Sequence, residues 1–133
     1  MAYAIDSQQE IHSMRTHTHR NTLSASTLAG DPVVNSRGES LGKIEDLMID
    51  LDSGRVAYAV LGFGGFLGIG NKFFAVPWQA LRVDQDSHNI VFDIDKERLE
   101  DAPGFEKDNW PDMSDLTWRN EIYQYYNVKP YWT

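Results

Sequence analysis

The chain of 133 residues contains no cysteine, which excludes disulfides, thiolate chemistry and cysteine-ligated zinc and agrees with a reducing compartment, so a cytoplasmic location is expected. Basic residues are scarce: 12 Lys and Arg stand against 20 Asp and Glu, a net charge of -8. Nucleic-acid binding needs a basic footprint that displaces counterions, and adhesion to anionic membrane surfaces needs the same sign, so neither is expected. The N-terminus has no apolar segment leading into a small-residue cleavage site, so no secretory signal is expected. A long uninterrupted apolar run is also missing. The nearest approach, Val56 to Gly70, is uncharged but rich in glycine, is followed closely by Lys72, and falls short of the roughly 20 residues of a membrane span.

The same glycine-rich stretch invites two other motif readings, and both fail. Gly65 and Gly70 precede Asn71-Lys72, one residue out of register for a phosphate loop, and Phe73 stands where a magnesium-binding hydroxyl is required. Gly62-x-Gly64 places Leu67 at the third glycine of a dinucleotide fingerprint, and a strand pattern follows where a helix is needed. Asp50, Asp52 and Gly54 resemble the start of a calcium loop. The glycine is one residue too early, however, and Leu61 occupies the position of the bidentate glutamate. These aspartates are expected to form turns by bonding their own backbone.

Short apolar runs between turn signals fill the middle of the chain. Asp31 to Asn35 reads as a first strand, with Pro32 where no ladder donor is needed, and Gly38 supplies a positive φ for the following turn. Leu41 to Leu51 is the second strand. Ile44 has one parity and Leu47 and Ile49 the other, so a β-bulge is predicted near Glu45-Asp46. Val56 to Phe63 is apolar on both parities and should be covered on both faces. Phe73 to Val76, Leu81 to Asp84 and Ile90 to Asp95 complete the set, with a helical turn at Trp78 to Leu81. The pattern predicts a mainly β fold, a small six-stranded closed or nearly closed barrel over residues 26–95. A flexible polar arm precedes it over residues 1–25, with one helical turn around Gln8 to Met14.

Residues 96–133 turn helical and aromatic, an extension that packs on the barrel or on a partner. A short helix from Lys96 to Asp101 stops at Pro103-Gly104, and Phe105 to Met113 forms a loop laying Phe105 and Trp110 on apolar surface. Ser114 is the expected N-cap of a helix running to about Asn127, whose apolar stripe is Trp118, Ile122, Tyr125 and Tyr126.

With these elements placed, the chain resembles the PRC-barrel domain family. The resemblance covers about Ser26 to Asp95 and is carried by Val33-Val34, Gly38-Glu39, Leu41 to Asp46, Asp50, Gly54-Arg55, Leu61 to Gly70 and Ala75 to Trp78. It implies a six-stranded barrel used for docking and assembly rather than chemistry. Relatives include the cytoplasmic domain of the photosynthetic reaction-centre H subunit, the C-terminal domain of the ribosome maturation factor, and stand-alone proteins, some linked to stress responses. The stand-alone group is the nearest fit.

Function is therefore expected to be non-catalytic protein binding or self-association, including a homodimer, with no cofactor, no resident metal and no catalytic set. The partner-binding candidates are Phe66, Leu67 and Ile69 near the tip of the glycine-rich loop and Trp118 and Tyr125 on the C-terminal helix. The alternative is a metal or small-ligand carrier using His12, His17 and His19. His17 and His19 share one side of an extended chain but lack further ligands and a supporting shell. His88 falls in a turn, Asp86 to Asn89, where a polar loop residue is expected. A hydrolytic enzyme is a distant third: Glu45, Asp46 and Asp50 are the available acids, and turn or outward positions give them nothing to shift their pKa.

Overall fold

The computed structural model describes residues 22–63 and 72–132. A single turn of helix, α1 (Ala25–Leu28), is capped by the Ser24 side chain and buries Leu28. Strands β1 (Pro32–Val34), β2 (Ser40–Ile49), β3 (Val56–Phe63), β4 (Lys72–Pro77), β5 (Leu81–Asp84) and β6 (Asn89–Phe92) follow, with a 3-10 turn at Trp78–Ala80. Helix α2 (Lys96–Glu100), a two-residue strand β7 (Phe105–Glu106) and helix α3 (Leu116–Tyr125) complete the chain. The strands form one seven-stranded sheet in the order β5-β6-β1-β2-β3-β4-β7. All pairs are antiparallel except β1 with β6.

The fold is mainly β, as expected. The seventh strand extends the anticipated set, and β5 and β7, the two end strands, each pair on one side only, so the hydrogen-bonded ladder stays open among the described residues. Side chains from β1, β2, β3, β4 and β6 nevertheless meet in one core, with Leu41, Ile44, Leu61, Phe74 and Ile90 almost fully buried and Leu81 and Val83 of β5 packed against it. That enclosure is the barrel-like arrangement the strand pattern implies. Among the described residues no helix is long and apolar enough to cross a membrane.

The parity slip in β2 has the predicted cause. The register with β3 shifts between Ile44 and Asp46, leaving Glu45 as the extra residue. Ile44 and Leu47, three positions apart, therefore both reach the main core. A second irregularity, between Met48 and Ile49, was not predicted. The pairs Met48 with Tyr58 and Ile49 with Val56 leave Ala57 of β3 as the extra residue, and Ile49, the last residue of β2, is 49% exposed.

Turn chemistry follows the sequence closely. Asn35 is buried and its side chain is fully engaged: Nδ2 donates to Glu39 Oε1 at 2.7 Å and to the Ile94 carbonyl at 3.2 Å, while Oδ1 accepts from the amides of Arg37 and Glu39. Gly38 sits at φ 81° in that turn. Asp50 Oδ1 accepts from the Asp52 amide at 2.9 Å, and Asp84 Oδ1 accepts from Asp86 at 3.1 Å, the self-bonded turns expected of aspartate.

Gly42 holds β2 against β3. It lies at φ 111°, and a Cβ there would stand 2.1 Å from the Gly62 carbonyl oxygen. Gly62 is also confined, but by the flexible Glu45 side chain, whose Cγ would lie 2.6 Å from an added Cβ. Gly42→Ala is therefore expected to destabilise the fold by roughly 2–4 kcal/mol through combined strain and collision. Gly62→Ala should lose less, because Glu45 swings aside. Urea unfolding of both variants tests the order, and equal losses would contradict it.

Candidate docking site

Strand β3 is apolar on both parities, and its second face needs a cover. Helix α3 and the residues after it supply one. Ala57, Tyr58 and Ala75 form a second core cluster with Ile122 and Tyr123, flanked by Trp118, Val128, Tyr131 and Trp132. The N-cap of α3 is Asp115, whose carboxylate accepts from the Thr117 amide, and not Ser114 as expected from sequence. The Ser114 hydroxyl instead donates to Asp112 Oδ1 at 2.6 Å, which shifts the helix start by one residue.

Each aromatic of the predicted stripe has an intramolecular neighbour. Trp118 meets Tyr58 edge-on with centroids 5.2 Å apart. Arg98 lies 4.5 Å over the Tyr125 ring, and the Tyr125 hydroxyl donates to the Arg98 carbonyl at 2.6 Å. Tyr126 packs on Phe92. The stripe omitted its most buried aromatic, Tyr123, which meets Trp132 at 4.6 Å and donates to the Ala57 carbonyl at 3.3 Å. Burial pushes its hydroxyl pKa up to about 12.

One carboxylate ties this layer to the β2–β3 hairpin. Asp50 Oδ2 accepts from the Tyr131 hydroxyl and lies 3.6 Å from the Arg119 guanidinium. Arg119 also rests 5.0 Å over the Trp132 ring and donates through Nε to the Met113 carbonyl at 3.0 Å. Arg55 lies 4.7 Å over Tyr131. The Tyr131 hydroxyl, more than any other neighbour, holds the Asp50 carboxyl below the usual carboxylate range, against the opposing effect of burial. A carboxyl with a lowered folded pKa stabilises the fold above its unfolded value of about 3.9, and that contribution fades as pH falls through the folded pKa.

Beside this lock runs an apolar cleft of about 510 Å³ whose walls include Met48, Ile49, Leu51, Tyr58, Met113 and Leu116. Leu51 is 91% exposed, Leu116 56% and Ile49 49%, so three aliphatic side chains stand in water around one opening. Tyr58 itself is buried, and its hydroxyl has no hydrogen-bond partner of good geometry.

Of the sequence candidates, Trp118 packs on Tyr58 below this cleft, whereas Tyr125 sits with Arg98 beside a smaller polar hollow of about 270 Å³. Phe66, Leu67 and Ile69 lie outside the described residues, as do His12, His17, His19 and the Gln8 to Met14 turn. Glu45 and Asp46 do not join Asp50 in the cleft wall. Sequence reasoning missed Ile49, Leu51 and Leu116. The signal available was an apolar Leu51 inside a turn and a Leu116 off the helical stripe.

Two measurements test these assignments. Tyr58→Phe removes a buried hydroxyl whose one polar neighbour, Arg119, is not in good hydrogen-bond geometry, and should leave stability unchanged or raise it by about 1 kcal/mol, whereas Tyr123→Phe should lower it by about that amount. Tyr131→Phe should lower the thermal midpoint at neutral pH, and its difference from the wild type should shrink as pH falls below about 4. A difference independent of pH would separate Tyr131 from Asp50.

A search of curated proteins gives no match. Among solved structures, a protein assigned to 16S ribosomal RNA processing, RimM of Pseudomonas aeruginosa, aligns with a TM-score of 0.38 and 19% identity, over 56% of this chain. The alignment takes in 45% of that chain, so the present sequence spans less than half of it. The PRC-barrel domain pattern matches residues 20–99, more than half of the sequence, and with the enclosed β core it shows that the chain belongs to the PRC-barrel domain family.

Proposed function

We propose that the chain is a non-catalytic docking and assembly module that binds a protein partner through the cleft between the β2–β3 hairpin and the start of α3. The observation that carries this reading is the convergence of Ile49, Leu51 and Leu116, all exposed, on a single opening. Isolated exposed aliphatics are ordinary, but a cluster around a concavity marks an interaction surface. Membership of a family whose barrels serve docking agrees with it. The net charge of -8 directs the module towards protein rather than nucleic acid, and the absence of cysteine fits a cytoplasmic setting.

Among the candidates named from sequence, Trp118 supports the cleft floor through Tyr58, and Phe66, Leu67 and Ile69, outside the described residues, are a second candidate set proposed from sequence. Self-association, a homodimer included, is the form docking takes if the partner is another copy.

The test is affinity capture from extracts of the source cells with three baits: wild type, Leu51→Asp with Leu116→Asp, and Phe66→Asp with Leu67→Asp. Leu51 and Leu116 are exposed, so the first pair should fold normally by circular dichroism. Proteins retained by the wild type and the loop pair but lost by the cleft pair are the expected outcome. Loss with the loop pair alone would move docking to the loop and overturn the cleft. Identical retention by all three baits, or none by any, would overturn the reading.

A further inference from the structure

The charges at the cleft specify what enters it. Arg119 is the cation in its wall, and Asp50 balances it at 3.6 Å while the Trp132 ring and the Met113 carbonyl hold its guanidinium in place. Asp52 lies in the same wall, exposed on the hairpin tip, with no cation paired to it among the described residues. Asp115, also exposed, stands between two wall residues, Ser114 and Leu116, at the start of α3. Its carboxylate accepts from the Thr117 amide at 3.4 Å. Once the Asp50–Arg119 pair is set aside, an aliphatic opening remains with carboxylates at the hairpin and helix sides.

This pattern discriminates between occupants. A second copy docking face to face would set the acidic side chains of this opening, Asp52 and Asp115, against the same acidic opening, on chains that each carry a net charge of -8. An acidic segment meets the same repulsion. A segment with aliphatic anchors flanked by Lys or Arg fills the opening and pairs with the rim. The cleft volume, about 510 Å³, suits a few side chains rather than the whole face of a long helix.

We infer that the cleft takes a short amphipathic segment of a different protein, with aliphatic anchors between Lys or Arg residues. This rests on the docking reading above and adds the chemistry of the partner. The carboxylates orient the segment and select its sign, and Ile49, Leu51 and Leu116 provide the apolar contact.

The test uses the full chain and three synthetic peptides of about twelve residues with one spacing of leucines, whose remaining positions carry Lys, Gln or Glu. Fluorescence anisotropy of the labelled peptides measures binding, and amide chemical shifts locate it. The Lys peptide should bind about tenfold or more tightly than the Glu peptide, with Gln between them. Added salt should narrow the difference, shifts should centre on Ile49, Leu51 and Leu116, and Asp52→Asn with Asp115→Asn should remove most of the preference. Asparagine is also a good N-cap, so the double variant keeps the helix start.

Equal binding of all three peptides, abolished by Leu51→Asp, would overturn the basic partner while leaving docking at the cleft intact. No binding by any peptide at millimolar concentration would overturn the inference, and the extract capture would then decide the docking reading separately. A concentration-dependent dimer in sedimentation, lost in Leu51→Asp, would identify the occupant as a second copy and overturn it as well.

Discussion

The burial of strand β3 on both faces is the constraint from which the rest of the architecture follows. Ala59, Leu61 and Phe63 enter the main core, while Ala57 and Tyr58 belong to the second cluster. One curled sheet satisfies only the first set. The second set requires another layer, and α3 with Tyr131 and Trp132 provides it. Each large side chain buried there contributes on the order of 1.5–3 kcal/mol relative to exposure. The aromatic segment is thus an inner wall of the fold as well as an outer surface, which is why most of its rings meet one another edge-on or tilted instead of facing water.

Much of this was legible in the sequence because strand parity is a strict two-fold code. The apolar continuity of Val56–Phe63 foretold the double burial, and the three-residue step from Ile44 to Leu47 foretold the bulge at Glu45. The same code failed four residues later. A second irregularity lies where Met48 and Ile49 meet Tyr58 and Val56; its extra residue is Ala57 of β3, and in a strand that is apolar on both parities such a slip leaves no trace in the pattern. Ile49 was therefore read as inward, and with it went the first clue to the cleft. Strand β7 was invisible for a different reason: two residues have no period, and its pairing with Lys72 and Phe73 is a tertiary choice. The helix start was misplaced because Ser114 and Asp115 are both good caps, and only the neighbouring Asp112 decides between them by capturing the serine hydroxyl.

The candidate site was less legible than the fold, and the reason is physical. Aromatic residues attract attention as partner surfaces because they are large and apolar, but those same properties draw them into any uncovered wall of their own chain. Trp118 and Tyr125 pack on Tyr58 and Arg98 respectively. Apart from Trp110, the large apolar side chains left in water among the described residues are aliphatics at element ends, where hairpin geometry and the helix start put Leu51 and Leu116 beyond reach of either core. Their meaning emerges only when the three-dimensional arrangement brings a turn and a helix start together.

That arrangement also bears on how firmly the cleft is held. Asp50 forms part of its wall and is at once the acceptor for Tyr131 and the counter-charge of Arg119. Arg119 in turn fixes the Met113 carbonyl, and Met113 is another wall residue. The hairpin side and the helix side of the opening are therefore tied to each other through one partly buried network and not left as two independent loops. Ordering loops at the moment of binding opposes affinity, so a wall ordered in advance favours it without adding a single contact. The lock that closes the second layer thus serves the cleft too: the double burial of β3 demands the aromatic cover, the cover demands Asp50, and Asp50 keeps the opening in shape.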